Sequence, residues 1–208
     1  MRVLRALATL LVIAGAILTA RAAYMSAKAE LAVILIHSAW KQSLESGQPT
    51  RPWPWADTHP VARLRIPRLR YDEIVLEGAT PRTLAFGPAH LLSSAAFGEP
   101  GNLVVAGHRT SWFRPLQRIS RGDTIQLEWF DSRGGFHQRL YGVAMIRVTD
   151  PKDTTLLAPM ERDALTLITC YPFGLGPNSP KRFMVRALPA DANREAAAFH
   201  QYDAVRTN

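Results

Sequence analysis

The residue most open to chemistry is Cys170, the only cysteine, which closes the apolar run Leu165-Thr166-Leu167-Ile168-Thr169-Cys170. Strand side chains alternate between two faces, which groups Leu165, Leu167 and Thr169 on one side and Thr166, Ile168 and Cys170 on the other. Tyr171-Pro172-Phe173-Gly174 follows at once. Proline removes a backbone donor and glycine frees the backbone, so the strand ends there and the thiol stands at its rim. Taken alone, such a cysteine is equally a small buried hydrophobe. A second apolar run, Asn102-Leu103-Val104-Val105-Ala106, leads into Gly107-His108-Arg109 and sets His108 at another strand end. A histidine and a cysteine facing each other across a barrel mouth form the base–nucleophile pair that thiol chemistry requires. A fixed cation would then stabilise the oxyanion of a tetrahedral intermediate. Arg182 opens the strand Phe183-Met184-Val185 just after the loop that leaves Cys170. Lys181 and Arg186 are its rivals, and alternation puts Lys181 on the opposite face. His90, in Gly87-Pro88-Ala89-His90, is the competing base.

The elements that must position these residues read as short strands. Expected strands cover 62–67, 72–76, 102–106, 124–130, 138–148, 164–170 and 182–188, with a short helical or irregular stretch at 83–90. Turn signals separate them at Gly122-Asp123, Gly134-Gly135, Asp150-Pro151 and Gly176-Pro177. With no long amphipathic helix interrupting the series, the pattern points to a mainly β domain, an antiparallel sheet closed into a barrel or sandwich.

Residues 48–60 form a linker by composition, since Pro49, Pro52, Pro54 and Pro60 oppose regular structure. Trp53 and Trp55 are unusual in a solvated linker, so they either pack back onto the domain, the favoured reading, or lie at a membrane interface. The domain is expected to fill 61–190, and 191–208 is a polar, alanine-rich tail.

At the N-terminus, Arg2 and Arg5 precede an uncharged apolar run over 6–20. As a helix, residues 3–20 would span roughly 27 Å, close to a bilayer core. Ala20-Arg21-Ala22 also has the small-x-small form of a signal-peptidase site. The run is long for a cleaved signal, which favours a retained anchor over 1–22, single-pass in the cytoplasmic (inner) membrane. Arg2 and Arg5 would stay inside and the domain outside, facing the periplasm. A juxtamembrane helix should follow over 23–47, closed by Gly47 and Pro49.

Composition narrows the remaining classes. The 208 residues are 47% hydrophobic and 20% charged, which excludes a disordered chain. The net charge of +8 comes largely from scattered arginines. Nucleic-acid binding would call for a dense basic stripe with aromatics, and an anionic envelope surface suits the scatter at least as well. One cysteine excludes an internal disulfide and a cysteine-rich zinc site. His59, His90, His108 and His137 show no ligand spacing with Cys170, so neither metal nor cofactor is expected.

The segments Val104-Val105-Ala106-Gly107-His108-Arg109 and Thr166-Leu167-Ile168-Thr169-Cys170, with Arg182 after them, resemble the three signature regions of sortases. Pro52-Trp53-Pro54-Trp55-Ala56-Asp57 and Cys170-Tyr171-Pro172-Phe173 further resemble the Gram-negative group, called class GN or marine proteobacterial sortases. The resemblance covers roughly 51–188 and implies an eight-stranded β-barrel and a membrane-anchored cysteine transpeptidase. It implies that Cys170 holds the N-terminal part of a substrate as a thioester, that His108 shuttles the proton, and that Arg182 orients the motif and supports the oxyanion. Thr169 and Tyr171, flanking the thiol, would contact substrate. The implied partners are a secreted protein with a C-terminal Leu-Pro-x-Thr-Gly-like sorting signal and an amine acceptor in the cell envelope. Thr110-Ser111 stand where relatives often carry an acidic residue. The competing readings are a different periplasmic cysteine peptidase and a non-catalytic anchored β-domain. Papain-like enzymes place the cysteine before the histidine, and L,D-transpeptidases follow it with arginine, neither of which holds here.

Overall fold

The computed structural model describes residues 2–131, 133–174, 176 and 180–190. The tail expected at 191–208 lies outside the described residues. A helix, α1 (Arg2–Ser46), leads into strands β1 (Pro60–Ile66) and β2 (Tyr71–Glu77), a one-turn helix α2 (Pro81–Leu84), and strands β3 (Ala89–His90) and β4 (Asn102–Ala106). Then come β5 (Thr124–Phe130), β6 (Phe136–Thr149), β7 (Ala164–Tyr171) and β8 (Lys181–Pro189). The eight strands close into a barrel in the order β1-β2-β3-β4-β7-β8-β6-β5.

Period-two alternation fills the barrel. Leu64 and Ile66 of β1, Leu103 and Val105 of β4, Ile125 and Leu127 of β5, Leu165 and Leu167 of β7 and Val185 of β8 are buried in one cluster. Burying each such side chain stabilises the fold by about 1.5–3 kcal/mol. Cutting Leu167 to alanine would cost about 2–5 kcal/mol, because the closed wall cannot collapse onto the void.

One expectation fails in a way that matters for function. The sheet is not purely antiparallel: β2 pairs with β3 and β4 with β7 in parallel. The intervening β5–β6 hairpin pairs through β5 with β1 and through β6 with β8, on the far side of the barrel. The chain then re-enters beside β4 running in the same direction, by a connection whose helical pieces are short 3-10 turns at Arg114–Arg118 and Thr155–Leu157. Antiparallel pairing of β4 and β7 would have sent their C-terminal ends to opposite rims. The parallel pair brings both ends to one rim.

The helix α1 is unbroken from the apolar run to Ser46, with no interruption between 22 and 23. It is long and apolar enough to cross a bilayer. Its C-terminal half docks on the barrel through a stripe at Ala32, Ile36, Ala39, Trp40 and Ser43, all buried. That spacing repeats every three or four residues and so lies on one helix face. Ile36 and Trp40 pack with Ile74, Leu76 and Ala89 in a second core outside the barrel, and Trp40 meets Phe130 at 5.4 Å. Gly47, at φ 65°, ends the helix, where its N–H donates to Ser43 O at 3.0 Å. The linker packs rather than floats: Trp53 meets Phe86 edge-on at 5.3 Å and Ala56 is buried. Trp55 behaves differently and is 80% exposed.

Candidate active site

The rim at the ends of β4 and β7 gathers the three residues singled out by type and spacing. Cys170 lies directly opposite Arg182 in the antiparallel β7–β8 register, so both side chains leave the same face. That face also carries Ile168, opposite Met184, and Thr166, opposite Arg186. On the other side of β7, the parallel register sets Ala106 beside Ile168, and Gly107 N–H donates to Ile168 O at 3.2 Å. His108 follows two residues beyond Ala106, on the same rim at which β7 ends in Cys170. Cys170 and Arg182 are half-buried, and His108 is exposed.

The local structure around His108 explains why its neighbours have the types they do. The Thr169 hydroxyl donates to Gly107 O at 2.6 Å, tying the residue before His108 to the residue before Cys170. Such a bond is worth about 1 kcal/mol net, and leaving the acceptor unpaired would cost more. Thr169, expected to contact substrate, is 3% exposed. Its alternation turns it inward, and its hydroxyl is committed to positioning. The ring of the fully buried Phe113 lies on Gly107, so close that a Cβ there would come 2.8 Å from Phe113 Cδ2 and Cγ. Glycine at 107 is thus a packing requirement. The loop turns back through Phe113 N–H, which donates to His108 O at 2.9 Å.

Arg109, next to His108 in the motif, ties the two loops together across the rim. It is 9% exposed, and its guanidinium donates to Pro172 O at 2.6 Å and to Gly176 O. The residue after His108 thereby holds the loop after Cys170. Its partners are backbone carbonyls, which no side-chain pattern reveals. Tyr171 is half-buried and stacks on Phe183 at 6.3 Å, with Phe173 edge-on to both. A cleft of about 270 Å³ opens beside this rim, lined by Arg109, Thr110, Arg114, Gln117, Phe173 and Gly174.

The rivals separate by their surroundings. Arg186 is buried, donates to Thr166 Oγ1 at 2.8 Å and to Leu156 O, and its pKa is drawn down by burial. The Thr166 hydroxyl in turn donates to Asn102 Oδ1 at 2.7 Å, and the Asn102 amide donates to Leu156 O and Ala158 O. This ladder pins the β6–β7 connection to the outer face of β7, so Arg186 is a structural cation. Lys181 sits opposite Tyr171, one residue out of phase with the thiol. His90 is 4% exposed, with Nδ1 3.1 Å from Glu77 Oε2 and Nε2 3.0 Å from Ala95 O. Both ring nitrogens are engaged by their neighbours, with the Ser94 hydroxyl also 3.3 Å from Nε2, so the ring is held in place inside the fold.

A family model for the sortase domain matches residues 64–190. The chain belongs to the sortase family. Sortase D of Bacillus subtilis (strain 168) is 32% identical over 123 residues, 59% of this chain and 60% of that protein. The chain thus spans about 60% of the length of the curated relative it matches. Among solved structures, sortase A from Corynebacterium diphtheriae superposes with a TM-score of 0.57 at 29% identity, over 65% of this chain and 63% of that one. A Clostridium perfringens sortase D5 transpeptidase superposes at 0.61 over 77% of this chain and 98% of that one, and at 21% identity it speaks to the fold alone. The sortase match begins at Leu64 within β1 and ends just past β8, so it spans the β4, β7 and β8 segments that carry His108, Cys170 and Arg182.

Proposed function

We propose that this sortase is a membrane-anchored cysteine transpeptidase that joins a secreted protein to an amine in the cell envelope. The observation that carries the reading is one shared rim: Cys170 opposite Arg182 on β8, and the Thr169 hydroxyl bonded to Gly107 O, next to His108, where parallel β4 ends. The Cys170 thiolate attacks the carbonyl carbon of a Leu-Pro-x-Thr-Gly-like motif near the substrate's C-terminus. The carbonyl π electrons move to oxygen, and the Arg182 guanidinium stabilises that oxyanion. The oxyanion collapses, the C–N bond breaks, and protonated His108 gives the leaving amine its proton. The thioester on Cys170 then meets an incoming amine, whose proton passes to His108 as the C–S bond breaks and the thiolate returns. Water in place of the amine would give hydrolysis.

In this reading 61–190 is the catalytic barrel and 1–22 the single-pass anchor. The unbroken α1 holds the barrel outside the cytoplasmic membrane, in the manner of the Gram-negative class. The test is a library of Leu-Pro-x-Thr-Gly-like peptides incubated with the full chain and a panel of amines. The expected result is a product in which the amine has replaced the residues after threonine, absent with Cys170→Ala. Product formed by Cys170→Ala would overturn the proposal.

A further inference from the structure

Trp55 stands apart from the other tryptophans. Trp40 and Trp129 are each 4% exposed, Trp53 and Trp112 are half-buried, and Trp55 is 80% exposed. It lines a groove of about 330 Å³ between the linker and α1, together with Lys28, Leu31, Leu35, Trp53 and Arg82. Along α1, Arg21, Tyr24, Lys28, Leu31 and Leu35 are spaced by three, four, three and four residues, so they share one face. The wall of the groove therefore runs without a break down the helix toward the apolar run.

Because α1 is one continuous helix docked on the barrel from Ala32 onward, it fixes the height of that groove. A bilayer core takes about 20 helical residues, so counted from Val3 it ends near Ala22. Lys28 then lies about 9 Å beyond that end, at the outer edge of the headgroup layer. Tyr24 is 65% exposed and one turn below Lys28, at the level where aromatic residues collect at membrane surfaces. An exposed indole at this height, flanked by cations, has the amphipathic character of an interfacial anchor. The local charge is positive: Arg21, Lys28 and Arg82 face a single carboxylate, Asp57, which lies 3.3 Å from Arg82.

We propose that the Trp55 groove docks into the headgroup layer of an anionic bilayer, setting the barrel's height and tilt over the membrane. This inference rests on reading α1 as a retained anchor, and the experiment separates the two. Full-length protein is placed in nanodiscs of phospholipid brominated close to the headgroup, with either anionic or zwitterionic lipid. Tryptophan quenching is compared between the wild type and Trp55→Phe, an exposed position where the substitution leaves packing intact. The expected result is quenching that falls by more than about half in Trp55→Phe and is stronger with anionic lipid. In anionic discs, Lys28→Gln with Arg82→Gln should reduce it toward the zwitterionic value. Equal quenching in wild type and Trp55→Phe, from protein that still floats with the lipid, would overturn the groove docking alone and leave the groove open to a protein partner. Protein that fails to float would overturn the anchor and the docking together.

Discussion

Two histidines end short strands in this barrel, and they live in opposite surroundings. His90 ends β3, is 4% exposed and has Glu77 and Ala95 O against its two ring nitrogens. His108 follows β4 and is exposed, while its backbone is held from several sides by Thr169, Phe113 and the neighbouring Arg109. In the first case the side chain is fixed and does the fixing. In the second the frame is fixed and the ring is left to act. The sequence around each, Ala-His and Gly-His after a strand, does not separate them. What separates them is where the hydrogen bonds go: the His90 ring is committed to its neighbours, and the His108 ring is exposed.

The largest test of this contrast is His108→Ala. It should lower transpeptidation by on the order of a thousandfold, the loss expected when a general acid–base is removed. The urea midpoint should stay unchanged, since an exposed ring packs against little. A large loss of stability there would erase the distinction between the two histidines. Gly107→Ala should come next. The added methyl meets the Phe113 ring at 2.8 Å, and displacing His108 by about 1 Å can cost about a hundredfold in rate. Here stability should drop as well, by about 1–3 kcal/mol from overpacking. Full activity in a folded Gly107→Ala protein would show that the frame does not govern the ring.

His90→Leu should invert the first result. Activity should stay within about threefold of the wild type, while stability falls by about 2 kcal/mol as Glu77 and Ala95 O lose their hydrogen-bond partner. A dead but fully stable His90→Leu protein would make His90 the base. The smallest effect belongs to Glu73, a half-buried carboxyl where α1 meets β2, whose pKa partial burial and the nearby Asp72 raise from 4.5 to about 7. Between those values the folded protein keeps a proton that the unfolded chain has released, so this group's contribution falls as pH rises through the window. Glu73→Gln should therefore gain stability relative to the wild type at about pH 8 and not at about pH 5, read as the difference in thermal midpoints. Equal shifts at both values would mean that Glu73 is ionised in the fold.

Much of this arrangement was legible in the chain. Alternation in β7 placed Leu165 and Leu167 in the core and Cys170 on the other face, because a period of two is a local property. It also set Arg182 out of phase with Lys181, as the register with Cys170 and Tyr171 bears out. Pairing is not local. Nothing in Leu103-Val104-Val105 or Leu165-Thr166-Leu167 states that the two runs lie parallel, so the sheet read as antiparallel even though the candidate site depends on the parallel pair. Arg109 was hidden for another reason: its partners are the carbonyls of Pro172 and Gly176, and every residue has a carbonyl. The two linker tryptophans looked alike in sequence and parted in the fold, Trp53 onto Phe86 and Trp55 outward, because only one of them meets a ring.

The central claim is that the Cys170 sulfur carries the substrate between two amines, and the intact mass of the enzyme during turnover tests it most directly. Protein mixed with an intact peptide that it cleaves, and quenched in acid, should gain the mass of the peptide's N-terminal fragment as an acyl group. That mass should map to Cys170 and leave on treatment with hydroxylamine. Turnover by the wild type with the fragment mapped to another residue, or the same adduct on Cys170→Ala, would contradict the account.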